Sequence, residues 1–165
     1  MSRETSMREK PDQALDQKVL KVWTIVAAAE WLFLLLVPVG YWVATRYFPI
    51  PEWPLYVLAG LVILAGIFKI LIIPKMQWKR WRYKIYDNEV ELMYGVFVIR
   101  RVIIPMIRVQ HVDTAQGPLL RHYQLSAVTI STAATTHEIP GLDEEKANIL
   151  RDHIAELARE ADPDE

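Results

Sequence analysis

The sequence predicts an α+β protein in which a two-helix transmembrane hairpin precedes an antiparallel β domain capped by a C-terminal helix. Two apolar runs, residues 22–44 and 55–73, predict the hairpin, since each is long enough to cross a bilayer. Short segments rich in β-branched residues then predict the sheet, and a final segment with helical periodicity predicts the helix. The composition suits a membrane protein, because 52% of the 165 residues are hydrophobic and the mean hydropathy is +0.11.

The charge balance and the cysteine count exclude several classes of protein. The 19 Lys and Arg residues are balanced by 20 Asp and Glu residues, giving a formal net charge of -1. The chain therefore lacks the basic field with which proteins collect nucleic-acid phosphates, and we expect no nucleic-acid partner. The absence of cysteine excludes disulfide frameworks, thiolate-ligated metal centres and thiol nucleophiles.

The two apolar runs are predicted to be antiparallel membrane helices. The first spans 23 residues, or about 34 Å of helix against a hydrocarbon core of about 30 Å. Pro38 is expected to kink this helix without ending it, because membrane helices tolerate internal proline. Three prolines between positions 49 and 54 prevent a continuous helix and predict the turn of the hairpin. Pro74 is expected to end the second helix.

Basic residues predict the orientation of the hairpin. They flank the outer ends of both spans, whereas the connecting loop holds only Arg46. Under the positive-inside rule, residues 1–21 and both termini lie in the cytoplasm of a multi-pass cell-membrane protein. The basic residues before the first span are Arg3, Arg8, Lys10, Lys18 and Lys21, and the juxtamembrane cluster after the second is Lys75, Lys79, Arg80, Arg82 and Lys84. This cluster either attracts anionic lipid, at about 1 kcal/mol per charge, or serves only as the topology signal.

Each span contains one ionisable residue besides tyrosine, Glu30 in the first and Lys69 in the second. A charge in lipid is costly and usually faces a partner or a cavity. One hypothesis is that Glu30 pairs with Lys69 inside the hairpin or meets a polar group of another subunit. The alternative is a protonated Glu30 and a Lys69 side chain that reaches the interface. Two helices cannot enclose a pathway alone, so a transporter would require oligomerisation.

The rest of the chain, residues 75–161, is predicted to form one cytoplasmic domain. Short strands joined by hairpin-length loops favour an antiparallel meander that curls into a barrel or a sandwich. The predicted strands cover residues 81–86, 90–94, 96–105, 107–114, 125–133 and 136–140. The period then changes, and an amphipathic helix is indicated by Ala147, Leu150, Ile154, Leu157 and Ala161. Its apolar stripe needs a sheet to cover, and an open end of the barrel is the expected place.

This order of features resembles the bacterial pleckstrin-homology-like domain proteins in their short form, with two membrane helices before one domain. The resemblance rests on the segments WKRWRYKIYDNEVEL, IPMIRVQHVDTAQGPLLRHYQL and VTISTAATTHEIPGL, and covers roughly residues 20–160. Gln124 departs from the pattern, since members more often carry glycine there. The resemblance implies a split β-barrel closed by the C-terminal helix. Members often occur beside larger multidomain relatives, which implies a membrane protein partner such as a larger protein of the same family.

The sequence contains no motif for catalysis. It has no G-x-S-x-G elbow, P-loop, G-x-G-x-x-G or H-E-x-x-H motif, so we expect a non-enzymatic protein without a cofactor. A metal site formed by His111 and His122 is one interpretation of the scattered histidines, and ordinary surface histidines are the favoured one.

Arginines in the domain are the candidate contacts for an anionic ligand. The planar fork of arginine suits phosphate and carboxylate, so one hypothesis is that these residues bind a lipid headgroup or an acidic peptide. Adjacent arginines on a strand point to opposite faces and cannot line one pocket. Solvation, or pairing with Glu89, Glu91 or Asp113, is the favoured alternative. The candidates are Arg100, Arg101, Arg108 and Arg121.

These features favour a membrane-anchored interaction module, a non-enzymatic scaffold in a membrane protein complex. The expected partners are the lipid bilayer and a membrane protein. Formation of a homo-oligomer is a further option that the sequence leaves undecided. One alternative is recognition of anionic lipid headgroups by the domain. Another is an accessory subunit of a transport or export system.

Overall fold

The computed structural model describes residues 10–161 of the chain. Two long helical spans come first, and a domain of two antiparallel sheets and a C-terminal helix follows. Arg3 and Arg8, which contribute to the predicted orientation, lie outside the described residues.

Two apolar helical stretches of 29 and 28 residues form the hairpin, and each exceeds the roughly 20 residues that a bilayer requires. The first stretch consists of α1 (Val19–Leu34) and α2 (Leu36–Tyr47), and the second of α3 (Trp53–Leu71) and α4 (Ile73–Arg80). They are joined by a hydrogen bond of 2.9 Å from Trp31 Nε1 to the carbonyl oxygen of Val62.

Prolines determine where these helices are interrupted. The break between α1 and α2 lies three residues before Pro38, which has no N–H to donate to the preceding turn. Pro74 falls in the first turn of α4, where an N–H has no intrahelical partner and its loss costs little. The helical path therefore resumes and continues to Arg80, contrary to the prediction that Pro74 ends it.

The domain contains two antiparallel sheets. The strands of the first sheet are β1 (Gln13–Ala14), β2 (Arg82–Ile85), β3 (Glu89–Tyr94) and β4 (Arg100–Pro105), and those of the second are β5 (Val109–Ala115), β6 (Leu125–Thr132) and β7 (Thr136–Asp143). In both sheets the strands lie side by side in chain order. Strands β2–β4 and β5–β7 are meanders, as predicted, whereas β1 joins the first sheet from the segment before the membrane hairpin.

The sheets do not close into a barrel, so the predicted β-barrel is corrected to two open sheets. Within residues 10–161, β4 pairs only with β3, and β5 pairs only with β6. Pro105 and a 3-10 turn, Met106–Arg108, separate β4 from β5. The N–H of Met106 donates to the carbonyl oxygen of Asn88 at 2.9 Å, which extends the pairing of β4 with β3 as far as this turn.

Helix α6 (Glu144–Ala161) covers the second sheet, and the short α5 (Pro118–His122) connects β5 to β6. The predicted apolar stripe of α6 is the face that packs, since Ala147, Leu150 and Ile154 are buried. Core residues from the sheets include Val90, Leu92, Ile104, Leu125, Val128, Ile130 and Ile139, and Met106 of the 3-10 turn joins them.

The N-terminal segment also belongs to the domain. Strand β1 pairs with β2, and Leu15 and Val19 are buried in the same core. Trp78 Nε1 donates to the carbonyl oxygen of Leu15 at 3.1 Å. The N–H of Asp16 donates to the carbonyl oxygen of Gly141 at 3.1 Å. The predicted domain boundary at residue 75 leaves this strand out.

The connection between β3 and β4 differs from the prediction. A strand was expected from residue 96, but residues 95–99 form a loop, and β4 begins at Arg100. Gly95 has a φ of +129°, and a Cβ there would overlap the carbonyl oxygen of Val98. Only glycine allows this turn, which ends β3 at Tyr94.

Candidate functional site: an open groove between the sheets

A groove of about 660 Å³ lies where the two sheets separate. One wall is formed by residues 103–105 at the end of β4 and by the chain that follows them. The other is formed by the turn between β6 and β7 and by the start of β7. Six of the lining residues are Ile103, Ile107, Arg108, Gln110, Thr135 and His137.

The groove combines an apolar surface with polar groups. Ile103 and Ile107 are 44% and 63% exposed, although large apolar side chains in a domain are usually covered. Arg108 adds an exposed guanidinium, and His137 Nε2 lies 2.9 Å from Thr135 Oγ1. This arrangement suits binding of an extended peptide, because β4 has an open edge within the described residues.

The structure separates the four predicted anion ligands. Arg100 and Arg101 lie on β4, Arg121 lies on α5, and only Arg108 lines the groove. Arg101 donates from Nε to Oε1 of Glu91, a residue that is fully buried on β3. This hydrogen bond raises the pKa of Arg101 above its ordinary value. Glu91 Oε2 is buried without a hydrogen-bond partner among residues 10–161.

Four of the five members of the juxtamembrane basic cluster divide into two groups. Lys75 and Lys79 are exposed and lie four residues apart, on the same side of α4. The guanidinium groups of Arg80 and Arg82 instead donate hydrogen bonds to backbone carbonyl oxygens. Arg80 Nη1 donates to Val96, and Arg82 Nη1 donates to Trp81 at 2.7 Å.

Lys84, the last member of this cluster, lies on β2 and faces both an acid and an aromatic ring. Its Nζ is 3.9 Å from Oδ2 of Asp12 and 5.3 Å from the ring centre of Tyr86. Burial of Tyr83, the preceding residue on β2, raises the pKa of its phenol.

Glu30 and Lys69 meet between the two spans. Lys69 Nζ lies 2.5 Å from Glu30 Oε2, which joins α1 to α3. The two side chains are 57% and 45% exposed, so the pair lies at the surface of the hairpin. Trp23 and Gln77 line a small cavity beside it.

Sequence reasoning missed the groove because its apolar residues belong to segments predicted as strands. Alternation assigns Ile103 and Ile107 to sheet faces, but it does not reveal whether a given face of a barrel or sandwich is the covered or the solvated one. The signal that was available is Pro105. It marks the place where one strand ends and the sheets part.

Two membrane helices that lead directly into a domain of two open sheets define a membrane-anchored β domain. The chain belongs to the bacterial PH domain family, whose model matches residues 48–158. It is similar to the UPF0699 transmembrane protein YdbS of Bacillus subtilis (strain 168), with 46% identity over 158 residues. That alignment covers 96% of this chain and 99% of the relative. No solved structure matches the chain.

These comparisons confirm the family resemblance predicted from the three segments between residues 78 and 142 and the two apolar runs. They also confirm that a transmembrane protein carries the PH-like domain.

Proposed function

We propose that this protein is a non-enzymatic interaction module of the cell membrane, with both termini in the cytoplasm. Its PH domain binds an extended segment of a membrane protein partner in the groove between β4 and the β6–β7 turn. The observation that carries the proposal is the exposure of Ile103 and Ile107 beside the open edge of β4.

The groove supplies three kinds of recognition. The edge of β4 offers backbone N–H and C=O groups to an added strand, as in β-augmentation. Ile103 and Ile107 offer apolar contacts to alternate side chains of that strand. Arg108 favours an acidic residue in the bound segment, because a carboxylate accepts two parallel hydrogen bonds from a guanidinium.

The hairpin increases the strength of such binding. A domain confined to the membrane meets partners in the same membrane at a raised effective concentration. A contact of modest intrinsic affinity is therefore sufficient for a scaffold.

The four candidate arginines are spread over β4, the 3-10 turn and α5. This separation favours a peptide over a lipid headgroup as the ligand of the groove. Arg101 is engaged with Glu91, and Arg121 is on a different element from Arg108. A headgroup phosphate in this groove would meet Arg108 alone of the four.

Photo-crosslinking in native membranes tests this proposal. The full chain carries benzoylphenylalanine at Ile107, inside the groove, or at Ile149 as a matched control. Both positions are 63% exposed, and Ile149 lies on α6. We expect an adduct with a membrane protein from position 107 only, and the crosslinked peptide of that protein to be an extended segment with apolar and acidic residues.

A second substitution shows whether the adduct depends on the groove. Ile103→Asp in the chain that carries the probe at 107 should reduce the adduct about tenfold, corresponding to about 1.4 kcal/mol. The unchanged melting temperature of this variant is the control for folding. Equal adducts from positions 107 and 149, or an adduct that survives Ile103→Asp, would contradict the proposal. A lipid adduct at 107 would favour headgroup recognition, and an adduct with a transport protein would specify the partner as a transport system.

A further inference from the structure

The loop of residues 95–99 exposes an apolar tip on the domain. Phe97, Val98 and Ile99 are 74%, 73% and 55% exposed and follow one another in the chain. The turn at the opposite end of β3, between β2 and β3, is instead polar and contains Asp87 and Asn88. Three consecutive exposed apolar side chains at a loop tip mark a surface that a membrane or another molecule covers.

Strand connectivity places this loop at the end of the domain that faces the membrane. Strand β2 begins directly after the helix that leaves the bilayer, and Arg82 on β2 pairs with Met93 on β3. Strand β3 therefore returns toward the membrane as it approaches Tyr94. The rings of Trp81 and Tyr94 stack at 5.8 Å, which fixes the end of β3 beside the end of α4.

A hydrogen bond holds the loop against the membrane helix. Arg80 Nη1 donates to the carbonyl oxygen of Val96, joining the last turn of α4 to the loop. Counted from Trp53 at about 1.5 Å per residue, a hydrocarbon core of about 30 Å ends near Ile73. Arg80 then lies about 10 Å further out, next to the headgroup layer. The hydrogen bond holds Val96 at this level, and the exposed side chains of Phe97 and Val98 follow it directly in the loop, so the tip lies beside the headgroup layer.

The charges around the tip suit an anionic bilayer surface. Arg100 follows the tip directly and is exposed, and Lys75 and Lys79 are exposed on the neighbouring α4. Apolar residues flanked by cations form the pattern with which peripheral segments enter the boundary between headgroups and acyl chains.

We propose that the tip, residues 97–99, inserts into the headgroup–acyl boundary of the leaflet from which α4 emerges. The bilayer itself is the occupant, and the insertion gives the domain a contact with lipid in addition to its two helices. This contact lies at the opposite end of β4 from the groove, so it holds whether or not the groove binds a peptide.

A fluorescence quenching experiment on the full chain tests this contact. The chain has no cysteine, so Val98→Cys carries a single environment-sensitive nitrobenzoxadiazole probe after reconstitution in phosphatidylcholine–phosphatidylglycerol nanodiscs. Ile107→Cys is the matched control, because Ile107 is 63% exposed and follows Met106, which bonds to Asn88 at the distal end.

We expect a lipid with a spin label near the top of its acyl chain to quench the probe at 98 more than about threefold more strongly than at 107. Aqueous iodide should show the reverse order. Phe97→Asp should reduce lipid quenching at 98, because a carboxylate resists entry into the boundary.

Three results would overturn the proposal. Equal lipid quenching at positions 98 and 107 would show that the tip does not touch lipid. Iodide quenching at 98 as strong as at 107 would place the tip in water. Protection from both quenchers would mean that protein covers the tip, such as a second copy of the chain. The nanodiscs contain no other protein, so failure here is distinguishable from failure of the groove proposal.

Discussion

Glu91 is a carboxylate in the middle of a strand that is buried on both faces. Val90, Glu91 and Leu92 are all buried, although alternation in the sequence assigns Glu91 to the solvent side. Arg101 on β4 compensates by donating to Glu91 Oε1 across the pair of strands. A buried carboxylate needs this partner, because an uncompensated charge in a protein interior is costly.

We predict that Arg101→Gln destabilises the domain and that Arg100→Gln does not. The first substitution leaves the charge of Glu91 without its ion pair, whereas Arg100 is exposed on the other face of β4. Thermal unfolding of the full chain in nanodiscs should show a melting temperature several degrees lower for Arg101→Gln. The double variant Glu91→Leu with Arg101→Leu should recover much of the loss, because both polar groups leave together. Equal melting temperatures for the two single variants would refute this.

The position of Glu91 shows where residue-level prediction fails. Period-2 alternation identifies a strand and its two faces, but it does not reveal whether both faces are covered. The pairing with Arg101 depends on the register in which Met93 is opposite Arg101. That register is a property of the fold, although Glu91 was among the partners proposed from sequence.

Strand β1 is an element of two residues with a large structural effect. It adds an edge to the first sheet, and Leu15 just after it is 3% exposed. The contact of Trp78 with the Leu15 carbonyl connects this segment to α4. The part of the chain before the first span is thus a component of the domain that follows the second span.

Truncation of Leu15 should measure this contribution. We expect Leu15→Ala to lower the free energy of unfolding by about 2–4 kcal/mol, since a buried leucine is replaced by a cavity. Gln13→Ala is the matched control, because Gln13 lies on β1 but is exposed. Denaturant unfolding of the detergent-solubilised chain, monitored by tryptophan fluorescence, gives both values. If Leu15→Ala lowers the free energy of unfolding by less than Gln13→Ala does, the N-terminal segment is not part of the cooperative core.

Element-level prediction succeeded where the signal is long and failed where it is short. The two spans and α6 were predictable because hydropathy and helical period persist over 18 residues or more. The sequence predicts a strand over residues 96–105, which includes most of the loop at 95–99, because Phe97, Val98 and Ile99 have high strand propensity. Two residues of β1 in a polar segment carry no periodicity, so no sequence pattern could identify them.

At the scale of the whole molecule, the orientation in the membrane is a prediction from charge alone. We expect Glu52→Cys, in the loop between the spans, to react with a membrane-impermeant maleimide on intact cells. Asn88→Cys, at the distal end of the domain, should react only after permeabilisation, since the positive-inside rule places the domain in the cytoplasm. The cysteine-free chain is the blank for both variants. Labelling of position 88 on intact cells would reverse the proposed topology.

The PH-like domain and the transmembrane class were both accessible from sequence, because segment motifs and hydropathy are local properties. The groove was not accessible. It arises where β4 and the β6–β7 turn diverge, and residues 103 and 135 line one groove only through the arrangement of two sheets.

The attachment of the domain to the hairpin has a mechanical consequence. Helix α1 begins inside the core, with Val19 packed on Gly141, and α4 passes into β2 through the single residue Trp81. No flexible tether intervenes at either junction, so the domain tilts only if both helices tilt with it. A load applied by a bound protein therefore reaches the lipid as a torque on the helix pair.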